Sequence, residues 1–424
     1  EWTMKFSTFN VLCPPYKRMP NVGGRESEYP EVYNSRLRRI TDLLSSIRSD
    51  VVCLQEYWIK SAEVTEMYRQ ALDGSLSGYR LLGLKRTEHW SQRDDGLAFL
   101  VGPRVKVLDV QEILFQDCGD RVALLMFITV DRQPVIVINT HLLFPHSKYS
   151  TDIRLREVRK MLCFLDTYTK DTSLEDVPVV IGGDFNGSPS GKVGSYMRSQ
   201  DFKLCCGDSS CWISHKSHRD NELPCDLIWL LNPSKRSNFS PQDWKDGVFS
   251  EISDVLRHRN LTLSQSFKEF FDQDSNDFVS PDEFRRALRE LGFHGEGKPH
   301  LLDCEIDALL ESADIDHNGK LDYKEFIDRF WMATEDKSLM VGLGSPMDSS
   351  DIQFLRGNET TTILEAATPQ SIIDAIELEK DDGTDIEAVA TEFYPKEIEH
   401  GVWPRTYDLS DHGLLSTTFR LVGS

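Results

Sequence analysis

The chain has 424 residues, 39% of them hydrophobic and 28% charged, so it has material for a large core with an insertion or for two or three domains, and it is not a low-complexity or fibrous protein. No apolar run approaches the roughly 20 residues needed to cross a bilayer as a helix. Residues 1–250 carry 32 Lys+Arg against 32 Asp+Glu and residues 251–424 carry 16 against 37, so the whole net charge of −21 lies in the C-terminal part, and no basic stripe argues for long duplex nucleic acid.

Taken in order, Lys5–Val11 alternates apolar and polar residues and is expected to be a strand that delivers Asn10 near its end. Asn34–Ile47 places Leu37, Ile40, Leu43, Leu44 and Ile47 on one helical face. Val51–Leu54 reads as a buried strand from which Gln55 and Glu56 emerge, and Ser61–Leu72 as a second helix. Further strands are expected at Tyr79–Leu84, Gly96–Val101, Gln111–Leu114, Val122–Val130 and Val135–Asn139, the last followed by Thr140 and His141. Ile153–Tyr168 is amphipathic and expected to be helical.

The stretch PVVIGGDFNGSPSG at 178–191 organises the rest. A short apolar strand ends in two glycines and then presents Asp184 and Asn186, two residues apart and so on one side. Such a pair can hold and polarise a water molecule aimed at phosphorus; a plain Asx turn is the competing reading. Cys225–Leu231 is a later strand carrying Asp226, and Asp411 and His412 precede a closing strand, Leu414–Arg420. Asn10, Glu56, His141, Asp184, Asn186, Asp226, Asp411 and His412 are thus polar residues mostly at the ends of apolar strands, where a rigid sheet can position chemistry. No motif supports His215 or His218, which are expected in a surface loop. The nine cysteines are odd in number and scattered, so they are expected as free thiols in an intracellular, reducing compartment whose identity the sequence leaves open. Cys205, Cys206 and Cys211 match no usual zinc spacing.

Thr8–Asn10 (TFN), Leu54–Glu56 (LQE), Asn139–Leu142 (NTHL), Gly183–Asn186 (GDFN) and Ser410–His412 (SDH) occur in one order. This set resembles the endonuclease/exonuclease/phosphatase superfamily, and most nearly its deadenylase and nocturnin branch. The resemblance implies an α/β fold, a four-layer sandwich of two sheets with helices outside. It implies Mg²⁺ (or Mn²⁺) at Glu56, helped by Asn10 and with Asp411 completing the acidic cluster. It implies Asp184 and Asn186 at the attacking water and the phosphoryl oxygens, His412 at the reacting phosphate with Asp226 behind it, and His141 at a phosphate oxygen. Arg86 and the Asp95-Gly96 segment would line the substrate side. The implied substrate is a phosphate ester, an RNA 3′ end or a nucleotide phosphate such as that of NADP(H). Leu143 departs from that branch, which often has a basic residue there.

Between Asp226 and Asp411 the pattern changes. Asp272, Asp274, Asn276, Phe278, Ser280 and Glu283 fall at positions 1, 3, 5, 7, 9 and 12 of a calcium-binding EF-hand loop, and Asp314, Asp316, Asn318, Lys320, Asp322 and Glu325 repeat them. Apolar residues at helical spacing flank both loops. Asp277 stands where the first loop's turn wants glycine, so the first site is expected to be the weaker; Gly319 satisfies the second. The expected organisation is a main domain over 1–250, an inserted all-α EF-hand pair over 251–335, an acidic connecting segment over 336–400 with one helix at Pro369–Leu378, and a closing strand in 401–424. This arrangement resembles the calcium-binding members of the superfamily in plants. A hydrolase modulated by Ca²⁺ is the leading expectation; a calcium-sensing scaffold with an inactive phosphoesterase domain is the alternative. Protein partners are not legible.

Overall fold

The computed structural model describes residues 2–87, 93–147, 149–206, 213–217, 220–259, 261–295, 301–330, 352–355, 384–396 and 401–422. The strands of the main domain are β1 (Thr3–Asn10), β2 (Val51–Tyr57), β3 (Arg80–Lys85), β4 (Gly96–Val101), β5 (Val105–Leu114), β6 (Val122–Val130), β7 (Gln133–His141), β8 (Val179–Asp184), β9 (Lys203–Leu204), β10 (His215–Lys216), β11 (Glu222–Leu223) and β12 (Asp226–Leu231). Two short strands of the insertion, β13 (Phe278–Val279) and β14 (Leu321–Asp322), are followed by β15 (Ile352–Leu355), β16 (Ile386–Tyr394) and β17 (Leu414–Leu421). One sheet runs β15-β3-β4-β2-β1-β17-β16 and the other β5-β6-β7-β8-β12-β9. Each is mixed: β1 is parallel to β2 and β7 to β8, and the other pairs are antiparallel.

The sheets pack face to face. Phe6, Cys53 and Phe99 from one meet Val137, Val180 and Ile228 from the other. Gly182 permits this approach, because a Cβ there would stand 2.5 Å from the Phe6 ring. Helices α1 (Pro30–Ile47) and α2 (Ala62–Asp73) cover the outer face of the first sheet through Leu37, Ile40, Leu44 and Tyr68. Pro30 opens α1 at the first helical position, about two turns before the apolar stripe that starts at Leu37, and the Ser61 hydroxyl caps α2 by accepting from Val64 N. On the second sheet's outer face lie α3 (Ser150–Asp171), α4 (Lys192–Ser199) and α5 (Trp244–His258). The four-layer sandwich is therefore present, and β6 and β7 are buried at every position because both faces are covered.

The insertion continues from α5. A helix at α6 (Leu263–Ser266) runs through a π turn at Phe267–Phe271 into the first loop, which leads to α7 (Pro281–Glu290); α8 (Asp303–Ala313) and α9 (Tyr323–Phe330) flank the second. β13 and β14 pair, Phe278 with Asp322 and Val279 with Leu321, and tie the loops together. Phe267, Phe271, Phe284, Phe326 and Phe330 form the lobe's core, and Phe249 of α5 meets Phe330 edge-on at 4.8 Å between centroids. The lobe also docks on α3: Arg156 Nε and Nη2 donate to the two Glu305 oxygens at 2.5 and 2.9 Å, with both side chains buried.

One expectation for residues 336–400 needs correction. Ile386–Tyr394 is not connecting chain but an edge strand along the whole of β17. Its sequence is acidic and only half-buried, as edge strands are; Glu387 pairs with Arg420 and Glu392 with Lys5. The helix expected at Pro369–Leu378 lies outside the described residues.

Candidate active site and calcium loops

β1, β2, β7 and β8 end at one rim of the sandwich, β12 begins there, and the chain entering β17 crosses it. Tertiary pairing fixes their register: Asn10 lies beside Gln55, His141 beside Asp184, and Asp184 beside Asp226. Two buried amides lock the sheets together below the rim. Gln55 donates to Asn139 Oδ1 at 2.8 Å, and Asn139 donates to the carbonyls of Leu54 and Ala98 at 3.0 and 2.9 Å.

At the rim the backbone is strained in two places. Glu56 and Asn186 have φ of 56° and 49°, in the left-handed region that ordinary residues avoid. Glu56 sits in a bulge of β2 against β4, between Leu54 and Tyr57, which turns its carboxylate out of the sheet. That carboxylate accepts from Cys13 N at 2.9 Å and from Asn10 Nδ2 at 3.3 Å, and the same amide reaches Asp184 Oδ2 at 3.1 Å. Asn186 donates through its backbone N to Asp184 Oδ1 at 2.9 Å and through Nδ2 to the Leu142 carbonyl at 2.8 Å.

His412 is the centre of the arrangement. Its Nδ1 is 2.8 Å from Asp226 Oδ2, so the carboxylate fixes a proton on Nδ1, and its Nε2 faces Asp184 Oδ2 at 3.6 Å. His141 Nε2 approaches the same oxygen to 3.4 Å. Asp411 Oδ1 is 4.0 Å from His412 Nε2. The eight rim residues expected from the sequence are thus brought together. Arg86 is nearby but engaged: it pairs with Asp120 at 2.7 Å and with Asp95 at 3.4 Å.

His215 is not in a plain surface loop. It is buried, stacks on His412 with centroids 4.2 Å apart, and points Nε2 at Asp411 Oδ2 across 3.5 Å. Among the described residues, the two-residue β10–β11 pairing and a bridge to His412 bring it there, so no local pattern could have shown it. His218 lies outside the described residues. Two serines were also missed. Ser214 Oγ accepts from Cys225 N and Asp226 N, and Ser410 Oγ donates to the Asn10 carbonyl and accepts from His412 N.

Charge at the rim is out of balance. Burial, then Asp411 and Asp95, push the Glu56 carboxyl up to about 7. Burial alone would lower His412, but Asp226 and Asp184 outweigh it and hold the imidazole well above its usual value. His141 is held well below, by burial first and then by Arg121 and Arg86. Half-buried carboxylates with surplus negative charge suit a hard divalent cation, and Glu56, Asn10 and Asp411 are the rim residues that could hold one.

The EF-hand loops are near copies. Oxygens of Asp272, Asp274 and Glu283 lie within 4.8 Å of one another, as do those of Asp314, Asp316 and Glu325. Glu283 accepts from the backbone of Gln273 and Asp274, Glu325 from Ile315 and Asp316. Asn276 and Asn318 donate to Asp274 and Asp316, while the backbone carbonyls of Phe278 and Lys320 hold position 7. Ser280 and Asp322 cap the following helices, accepting from Glu283 N and Glu325 N. Asp277 takes φ of 65° where Gly319 takes 81°, so the first loop keeps the turn without glycine.

Two family models match: Endonuclease/Exonuclease/phosphatase family over residues 7–261 and EF-hand domain pair over 262–330. An uncharacterized calcium-binding protein of Arabidopsis thaliana is 33% identical across 99% of this chain and 84% of its own length. Calcium-dependent protein kinase 11 of rice is 40% identical over 76 residues, 18% of this chain and 12% of that protein. Among solved structures, ANGEL2, a 2′,3′-cyclic phosphatase, aligns with 55% of this chain and 89% of its own at 15% identity and a TM-score of 0.43. The human nocturnin catalytic domain aligns with 54% and 81% at 17% identity and a TM-score of 0.39. With the first family model spanning more than half of its length and a relative matched almost from end to end, the chain belongs to the endonuclease/exonuclease/phosphatase family and carries an EF-hand pair ahead of its closing strand.

Proposed function

We propose that this protein hydrolyses a phosphate ester with Mg²⁺ or Mn²⁺, and that Ca²⁺ at the EF-hands modulates the reaction. The observation that carries this reading is the line Asp226–His412–Asp184, closed by His141, Asn10 and Glu56 from both sheets. Asp184 is the group to accept a proton from the attacking water, with Asn186 holding its orientation. Charged His412, backed by Asp226, stabilises negative charge on the phosphoryl oxygens, and neutral His141 donates a hydrogen bond to one of them. The divalent ion, when bound, supplies further charge neutralisation and alignment for the displacement.

For the substrate, the motif pattern supports an RNA 3′ end or a nucleotide phosphate such as that of NADP(H). The cysteines among the described residues are all free, which supports a reducing, intracellular setting. No described helix is long and apolar enough to cross a membrane.

The test is release of phosphate or nucleotide from oligo(A) RNA, single-stranded DNA, NADPH, a phosphoinositide and sphingomyelin, with Mg²⁺, with and without Ca²⁺, beside Glu56→Ala. Metal-dependent turnover of one substrate, abolished in the variant, is expected. Silence across the panel with calcium binding intact would favour the sensor reading.

A further inference from the structure

Ser214 and His215 lie between the two chain segments that carry the Asp226–His412 pair. Ser214 Oγ accepts from Cys225 N at 3.0 Å and from Asp226 N at 2.9 Å, at the start of β12. The Ser214 carbonyl accepts from Gly413 N at 2.7 Å, and Lys216 N donates to the Asp411 carbonyl at 3.0 Å. Trp403 Nε1 also holds the segment, donating to the Ile213 carbonyl at 3.0 Å. These bonds clip the strand of Asp226 to the chain of His412 and deliver one side chain, His215, to the rim.

His215 meets two groups there. Its ring lies on the His412 ring, with centroids 4.2 Å apart and 20° between planes, and its Nε2 faces Asp411 Oδ2 across 3.5 Å. Each group has a freedom left to fix. The 2.8 Å contact with Asp226 sets the position of His412 Nδ1, but a single hydrogen bond leaves the imidazole able to rock about that line. A flat ring packed on its face removes that freedom. Asp411 turns one oxygen toward His215. Its Oδ1 is buried without a hydrogen-bond partner among the described residues and lies 4.0 Å from His412 Nε2. Holding one carboxylate oxygen directs the other. Errors in such directions are costly, since a misplacement of about 1 Å lowers a rate about a hundredfold.

We propose that His215 is a positioning residue, which fixes the plane of the His412 imidazole by stacking and the direction of the Asp411 carboxylate through Nε2. The proposal rests on the phosphoesterase reading and deepens it: His215 acts on the phosphate only through His412 and Asp411. Its two contacts use different parts of one side chain, so substitution separates them. Phenylalanine keeps a flat ring and loses the nitrogen; glutamine keeps a donor and loses the ring.

The test compares the full chain with its His215→Phe, His215→Gln and His215→Ala variants. Nitrogen-edited NMR reads the His412 Nδ1 proton without substrate or metal, calorimetry reads Mn²⁺ affinity, and kcat and KM are measured for the phosphate ester that the native chain hydrolyses. The native chain is expected to show a slowly exchanging His412 Nδ1 proton. His215→Phe should keep that signal and weaken Mn²⁺ about tenfold, the scale of losing a group that orients a ligand. His215→Gln should keep the affinity and lose the signal to exchange. His215→Ala should lose both, with kcat down about tenfold or more at nearly unchanged KM. A native His412 signal and native kcat in His215→Ala would overturn the proposal, and so would equal losses in all three variants, which a space-filling ring would give. Equal Mn²⁺ affinity in the native and His215→Phe chains overturns the Asp411 contact, and a rapidly exchanging His412 proton in the native chain overturns the stacking. If His215→Ala does not fold, the other two variants decide. A His412 signal that depends on the ring at 215, in a chain that turns over nothing, would sink the hydrolase reading and leave the positioning role standing. Turnover indifferent to all three substitutions would do the reverse.

Discussion

Glu56 and Asp277 both carry a conformational cost, and only Glu56 returns chemistry for it. Both sit at positive φ without being glycine. At Glu56 the strain aims a half-buried carboxylate whose pKa is pushed up to about 7 by its surroundings. Such a raised pKa means the metal-free fold binds the proton more tightly than the unfolded chain does, so this group's contribution to stability is present at low pH and is lost as pH rises from about 4.5 to about 7. Metal binding runs in the opposite sense, because the ion needs the carboxylate. Mg²⁺ affinity is expected to fall about tenfold per pH unit below pH 7, with roughly one proton released per ion; calorimetry in buffers of different ionisation enthalpy measures both. A pH-independent affinity from pH 5 to 7 would count against Glu56 as the ligand. At Asp277 the strain has no chemical return. Asp277→Gly is expected to tighten Ca²⁺ at the first loop by about fivefold, the scale of ~1 kcal/mol of left-handed backbone cost. Unchanged affinity in a calcium titration would show that the aspartate carries no such penalty.

At the scale of elements, α3 ties together two parts of the protein. Arg156 grips Glu305 of α8, the helix leading into the second calcium loop. Glu157 holds Leu143 N, and Arg154 donates to the Leu143 carbonyl, both in the chain just past His141. The Arg156–Glu305 pair is buried on both sides, so removing one partner strands the other. Arg156→Ala is expected to destabilise the protein by about 3–5 kcal/mol, read by urea unfolding. Replacing both with methionine should recover most of that loss, and failure of the double variant to recover would mean the pair contributes packing rather than charge compensation. β16 belongs at this scale too. Its acidic, half-buried sequence gave no strand pattern, because an edge strand has one hydrogen-bonding side and little core to fill.

For the molecule as a whole, the EF-hand lobe shares its core with the sandwich through α5 and α3, with Phe249 against Phe330 and Arg156 on Glu305. Calcium that binds only the folded lobe should therefore stabilise the whole unit. At a hundredfold excess over Kd the expected gain is about 2.7 kcal/mol per site, seen as a higher melting temperature. Glu283→Gln with Glu325→Gln should abolish the shift; a shift that persists would place the ion elsewhere.

The strands that are apolar throughout, the spacing of both calcium loops and the eight polar residues of the rim are legible in the chain's residue order alone. Strand cores and EF-hand loops are written locally, by hydrophobic runs and fixed ligand positions, so they can be read without knowing what packs where. Tertiary structure decided what those residues do to one another. It brought Asp226 behind His412 across 186 positions of sequence, stacked His215 on the same ring and turned Glu56 outward at a bulge. Each of these depends on strand register and on which sheet ends share a rim. Register follows from how whole faces pack, and no local pattern encodes it.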